Sequence, residues 1–268
     1  MKLEPIYTEK TQCQDCYKCV RDCPVKAIRV VDGSAMVIPK ACILCGHCTQ
    51  ICPVNAKKIR DDLDEAKELI AAGHDVYVSL APSYVTEFPN LKPGRLISAI
   101  KKLGFKGVSE TALGAQEVSA ACAQLLNEGG NKLWISTCCP STIHMIEQYH
   151  TELVEFLTPV LSPLQAHAKM LKNHYGPETK VVFIGPCIAK KNEANGHFEL
   201  ALTFNDLRRW FTQNNIDWTD LNDDEEFVPK SAHEGGLYPV EGGMEDGIKL
   251  RGAPENTLYM GFTGVEQA

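Results

Sequence analysis

The chain has 268 residues, 44 % of them hydrophobic, a formal net charge of −7 and 12 cysteines. That length admits one large domain or two modest ones with a real core. No run of eighteen apolar residues occurs, which excludes a transmembrane helix, and the opening MKLEPIYTEK lacks the apolar stretch of a secretory signal. A cytoplasmic protein with no membrane contact is expected, and in that reducing compartment so many cysteines point to metal ligation rather than disulfides. Charge is uneven: residues 1–60 hold 10 Lys and Arg against 5 Asp and Glu, the remainder 17 against 29. The basic part carries no aromatic-rich stripe, so nucleic acid is not expected as a partner, and metal-bound thiolates would cancel most of the excess.

The first half is a duplication. Cys13, Cys16, Cys19 and Cys23 are followed by Pro24, and Cys42, Cys45, Cys48 and Cys52 by Pro53. Every cysteine recurs 29 residues later, and CPVKAIR is echoed by CPVNAKKIR. Each unit reads C-x2-C-x2-C-x3-C-P, the run with which bacterial two-cluster ferredoxins hold iron–sulfur cubes. Three cysteines in a tight loop wrap three corners of a cube. The fourth, at the start of a short helix opened by its proline, points away to the other cube. That assigns Cys13, Cys16, Cys19 and Cys52 to one 4Fe–4S cluster and Cys42, Cys45, Cys48 and Cys23 to the other. Zinc prefers two separated C-x2-C pairs closing one tetrahedron and fits poorly. His47, inside CGHC, reads as a loop residue near a cluster. Over about residues 8–60 the segment resembles the bacterial ferredoxin family, which implies one-electron transfer along two neighbouring cubes.

Beyond Arg60 the pattern becomes strand and helix in alternation. DDLDEAKELIAAG (61–73) predicts a connecting helix ending at Gly73, and DVYVSLAPS (75–83) a strand entering a proline turn. GRLISAIKKLG (94–104) predicts an amphipathic helix with Leu96, Ile97, Ile100 and Leu103 on one face. FKGVSE reads as a short strand, 112–130 as a helix, KLWIST (132–137) as a strand, and 141–157 and 163–175 as helices. KVVFIGPC (180–187) and LALT (200–203) read as strands, and 204–215 as a helix. Such alternation predicts a largely parallel sheet covered on both faces. Three strands then end in APS, TCCPS and GPCIAKKNE. Ligands in open parallel sheets bind outside the carboxyl ends of the strands, so Ser83, Cys138, Cys139, Cys187 and Lys190 are expected to share one rim. Cys122, mid-helix, reads as core. Lys191 reads as an ordinary surface lysine, and Lys190 is set apart only by its PCxxK context. Gly235, Gly236, Gly242 and Gly243 read as turns.

TCCPS (137–141) resembles the first cluster motif of iron-only (FeFe) hydrogenase large subunits, and GPCIAKKNE (185–193) their second, PCxxKxxE. GGLYPVEGGMEDGI (235–248) resembles the stretch before their third motif, and a two-cluster ferredoxin segment at the N-terminus is typical of the family. The resemblance implies that Cys139 and Cys187 ligate the 4Fe–4S part of an H-cluster. It implies that Cys138 serves the neighbouring di-iron part as proton donor and acceptor, and that Lys190 hydrogen-bonds a cyanide there. The implied reaction is 2H⁺ + 2e⁻ ⇌ H2.

Three features depart from the family pattern. No cysteine follows Cys187, so the third motif, which supplies two more ligands, is missing. The helix before TCCPS lacks the carboxylates of a Glu relay, with Ala121, Cys122 and Leu125 at or near those positions. TCCPST also has Ser where fast enzymes carry Gly or Ala followed by Trp. These features resemble a sensory branch of the family. The expected architecture is an α+β two-cluster ferredoxin segment (1–60), a connecting helix (61–74) and an α/β, largely parallel hydrogenase-like domain (75–268), truncated before the third motif. The expected function is iron–sulfur electron transfer linked to H2 and protons, with a sensory role as one form of it and a ferredoxin or an oxidoreductase subunit as redox partner. The alternative is an electron carrier or docking protein with two ferredoxin clusters and no functional H-cluster. With two of four H-cluster ligands, these 268 residues are expected to be inactive towards H2, and LYMGFTGVEQA (258–268) to be a strand entering an unfinished domain.

Overall fold

The 29-residue sequence repeat is also a repeat of backbone in the computed structural model, which describes residues 3–130, 132–194, 196–262 and 264. Left-handed residues recur in register: Asp15 with Leu44, Tyr17 with Gly46, Lys26 with Asn55. Strands β1 (Ile6–Thr8) and β4 (Lys57–Ile59) pair antiparallel, as do β2 (Ile28–Val31) and β3 (Ser34–Val37). The one-turn helices α1 (Lys18–Arg21) and α2 (His47–Ile51) carry the third cysteine of each run, Cys19 and Cys48. No helix forms after the fourth cysteine, contrary to expectation; Pro24 and Pro53 enter tight turns. The N–H of Lys26 donates to the Cys23 carbonyl, and that of Asn55 to the Cys52 carbonyl, both at 3.2 Å, and these left-handed residues turn the chain back first.

Helix α3 (Leu63–Ala71) leads into the parallel sheet. Its strands are β5 (Val76–Leu80), β6 (Gly107–Glu110), β7 (Lys180–Ile184) and β8 (Leu200–Leu202), in the order β6-β5-β7-β8, with every pairing parallel. All five residues of β5 are buried, the mark of a strand covered on both faces. The covering helices follow from local signals. Helix α5 (Pro93–Lys102) starts on proline and buries Leu96, Ile97 and Ile100. Helix α8 (Pro163–Tyr175) is capped by the Ser162 hydroxyl, and α9 (Phe204–Gln213) by a Thr203–Asp206 capping box. The short α4 (Tyr84–Glu87) follows β5, and α6 (Thr111–Glu128) packs along α8. Strand order reverses between β5 and β7, so their carboxyl ends open the crevice of the sheet.

Further expectations change. KLWIST is not a strand: its residue Ile135 makes a single parallel bridge to Leu157, because the chain it meets is the end of a 3-10 turn rather than a strand. The helix expected over 141–157 divides into α7 (Pro140–Tyr149) and that 3-10 turn (Thr151–Phe156), since His150 leaves the helical region. The glycine-rich stretch is more than turns: a 3-10 turn (Glu234–Leu237) is followed by α10 (Gly243–Leu250), both packed on α6. Of 258–268, residues 258–262 and 264 are in no strand and the others lie outside the described residues. Among the described residues no helix is long and apolar enough to cross a membrane.

A buried imidazole ties the sheet to α8. His167 bonds the Ser79 hydroxyl of β5 at 2.7 Å through Nδ1 and the Ser109 hydroxyl of β6 at 2.8 Å through Nε2. Complete burial with no charged partner pulls its pKa from 6.5 down to about 3. Between those values the unfolded chain binds a proton that the folded chain refuses, so this group removes stability as pH falls below 6.5. Denaturant unfolding should show the parent losing roughly 1.4 kcal/mol per pH unit more than His167→Gln as pH falls from about 6.5 towards 4. Parallel pH profiles for the two would contradict a neutral, buried His167.

Candidate functional site

The cysteine repeat gathers its thiols in two groups. Cys23, Cys42, Cys45 and Cys48 line one cavity, together with Ile28 and His47. Cys19 lies within electrostatic reach of Cys52, Cys13 and Cys16. In both groups the fourth cysteine of one run joins the first three of the other. Backbone N–H groups already point at sulfur: Ala27 to Cys23 and Ala56 to Cys52, both at 3.2 Å, and Leu44 to Cys42 at 3.4 Å. Such bonds stabilise thiolates. Burial opposes them and pushes the Cys48 thiol up to about 12, against the pull of the Lys57 ammonium. At Cys52 burial is outweighed by the N–H groups of Lys57, Val54 and Ala56 and by the Lys57 charge, and its pKa falls. Among the described residues no three Cys, His, Asp or Glu side chains close on a point where one metal ion could sit. Four thiols around one cavity are a donor set suited to an iron–sulfur cube.

The second set of residues gathers at the carboxyl end of β7 and the start of α7. Adjacent thiols part company there. Cys139, at the N-cap of α7, is exposed, whereas Cys138 turns inward to Met244 Sδ, 3.7 Å away, and to the apolar cluster of Val118, Cys122 and Ile248. Burial lifts the Cys138 thiol to about 11, opposed by the Ser136 hydroxyl and the Lys190 charge. Cys187, also raised by burial, lies within electrostatic reach of Lys190 and Cys139. Ser83 caps α4 just past the carboxyl end of β5, where its carbonyl accepts from Thr86 and Glu87.

Both lysines of the motif are buried, which corrects the surface reading of Lys191. Lys190 pairs with Glu193 at 2.5 Å and donates to the Cys138 carbonyl at 3.5 Å. Lys191 pairs with Asp62 at 3.1 Å and donates to the Ala201 carbonyl at 2.8 Å, with Asp206 at 3.6 Å. Burial raises the Asp62 carboxyl, but Arg60 and Lys191 together hold it below the usual range. Arg60 also donates to the Lys191 carbonyl at 2.9 Å.

The two sets of thiols meet. Ile188, next to Cys187, packs with Ala189 into the same core as Cys19, Cys23 and Cys48. Gly46 takes a left-handed φ of 80°, and a side chain there would strike Ile188 Cδ1 at 2.8 Å. Cys45 is within electrostatic reach of Cys139. The Tyr149 hydroxyl of α7 donates to the Ala41 carbonyl at 2.7 Å, clasping the same boundary. Sequence reasoning missed Met244 and Tyr238, whose hydroxyl meets Ser119 at 2.9 Å, because their approach to α6 is set by tertiary packing; Cys122, read as core, is core and also faces Cys138.

Residues 74–261 match the family described as iron only hydrogenase large subunit, C-terminal domain, and residues 5–68 match the 4Fe-4S dicluster domain. The chain belongs to the iron-only hydrogenase large subunit family and carries an iron–sulfur, ferredoxin-like segment ahead of its α/β domain. It is 24 % identical over 290 residues to the NADP-reducing hydrogenase subunit HndD of Solidesulfovibrio fructosivorans, covering 89 % of this chain and 50 % of that protein. It is 25 % identical over 234 residues to iron hydrogenase 1 of Clostridium pasteurianum, covering 76 % and 41 %. A variant of the FeFe-hydrogenase HydA1 from Chlamydomonas reinhardtii shares the fold with a TM-score of 0.58 at 20 % identity, covering 76 % of this chain and 61 % of that one. The chain thus spans about half the length of the curated relatives it matches.

The opposite settings of the paired thiols have a chemical readout. In the chain carrying its clusters, iodoacetamide at pH 8 should alkylate Cys139 well before Cys138, as mapped by tandem mass spectrometry. Equal rates, or faster modification of Cys138, would contradict the inward placement of that thiol.

Proposed function

We propose that this chain is an iron–sulfur electron-transfer protein of the hydrogenase type. Cys13, Cys16, Cys19 and Cys52 hold one 4Fe–4S cluster, and Cys42, Cys45, Cys48 and Cys23 hold the other. When bound, the clusters supply one-electron storage; the chain supplies the thiolates, the N–H donors and the dry core that separates them from water. Electrons pass from a redox partner, a ferredoxin or an oxidoreductase subunit, through these clusters to the rim of Cys139 and Cys187, where the family's H2 chemistry belongs. The observation that carries this reading is the shared core: Ile188 and Ala189 of the second motif lie among Cys19, Cys23 and Cys48. The name of the HndD relative, a hydrogenase subunit, supports a partner protein.

A second reading, an electron-transfer or sensory protein with little H2 turnover, draws on one observation. The helix facing Cys138 presents Cys122, a thiol lifted to about 12 by burial, where a carboxylate would move protons faster. We adopt this second reading, in a cytoplasmic setting.

The test is a chain loaded anaerobically in the presence of hydrogenase maturation proteins. The expected result is about eight irons per chain from two four-iron clusters, reversible reduction by a viologen, and neither carbon monoxide and cyanide infrared bands nor H2 turnover above background. Robust turnover would overturn the second reading, and a chain without reducible iron would overturn both. The ligand assignment has its own test. Cys52→Ser and Cys23→Ser should each leave about four irons, and the surviving cluster should differ between the two variants by its electron paramagnetic resonance. Identical residual spectra would contradict the crossed pairing.

A further inference from the structure

The repeat that lays Cys23 on Cys52 also lays Ile28 on Lys57. Ile28 fills the apolar core and is 7 % exposed; Lys57 is 4 % exposed, so the second unit buries a cation where the first buries a hydrocarbon. A buried ammonium needs compensation, and such groups are almost always paired with a carboxylate. Here Nζ donates to the Thr8 hydroxyl at 2.6 Å and to the Ala35 carbonyl, both neutral. The Thr8 hydroxyl donates to that same carbonyl at 2.7 Å. Among the described residues no carboxylate is in ion-pair range of Lys57. Thiols of both groups lie within its electrostatic reach. Its charge is felt by Cys19 and Cys52 of one thiol group and by Cys48 of the other. Its carbonyl partner Ala35 donates an N–H to Cys13 Sγ at 3.5 Å.

We propose that Lys57 is the resident counter-charge of both iron–sulfur clusters and sets their reduction potentials. The inference rests on the reading that both thiol groups hold 4Fe–4S clusters. Each one-electron reduction adds a negative charge to a cube, and a fixed cation in the low-dielectric space between the groups favours the reduced form of either. Lys57 therefore makes both clusters easier to reduce than the apolar residue of the first repeat unit would. The asymmetry between the units is then electrical rather than steric.

The test uses the whole chain with its clusters, and redox titrations followed by electron paramagnetic resonance. Iron content and the reduced spectrum of the parent decide whether two 4Fe–4S clusters are present, independently of Lys57. Lys57→Met keeps the length of the side chain, and Lys57→Ile installs the residue that the repeat already accommodates at 28. Both should keep their iron and shift the midpoints of both clusters to more negative values, whereas Lys57→Arg should stay close to the parent. Unmoved midpoints in the two apolar variants would overturn the proposal, as would an equal shift in Lys57→Arg. If the apolar variants lose their clusters, retention in Lys57→Arg sustains the counter-charge, and loss there as well overturns it in favour of a requirement for shape.

Discussion

The exchange of the fourth cysteine between the two repeat units is the constraint on which the first half of the molecule rests. Its sheets are two-stranded, with strands of three or four residues. Isolated ribbons of that size are marginal in water, and about sixty residues bury too little surface to hold many such pieces together. The core of this segment includes its thiols: Cys19, Cys23 and Cys48 are buried with Ile6, Ala27 and Leu44. Sending Cys23 to the second run and Cys52 to the first means that neither unit can close without the other. On the proposed ligand assignment, metal binding and folding are one event.

That core does not stop at the segment's edge. The loop after β7 inserts Ile188 and Ala189 into it, and the ion pair of Lys191 with Asp62, almost wholly buried on both sides, fixes the loop to the chain entering α3. Removing one partner of such a pair leaves an uncompensated charge, so the loop position is strongly specified. The loop also carries Cys187 and Lys190, so what anchors the two halves to each other is also what places the second set of thiols beside the first. The same economy governs the paired cysteines. Pro140 starts α7, and the chain direction at that start leaves Cys139 outward and Cys138 against Met244 and Cys122.

Much of this was legible in the residues. Cysteine spacing is a local code, and so is the alternation that marked β5, β7, β8, α5, α8 and α9, where capping residues and apolar periodicity agree. The motifs TCCPS and GPCIAKKNE led to the family before any fold was seen. What escaped depends on contacts between distant segments. KLWIST has the composition of a strand, but no strand runs beside it. Pro24 and Pro53 suit a helix start, but Lys26 and Asn55 take left-handed turns first. Lys191 looks like a surface residue until Asp62 is brought in from 129 positions away, and Lys57 meets Thr8 and Ala35 only across 49 and 22 positions.

The central claim is that two iron–sulfur cubes share one core and form a single electron path towards the Cys139 and Cys187 rim. Low-temperature electron paramagnetic resonance of the fully reduced chain tests it most directly. Two cubes held in one core predict two half-spin signals broadened by mutual magnetic coupling, and that coupling should vanish when reduction is stopped at one electron per chain. Two uncoupled signals, or a single centre at full reduction, would contradict the account.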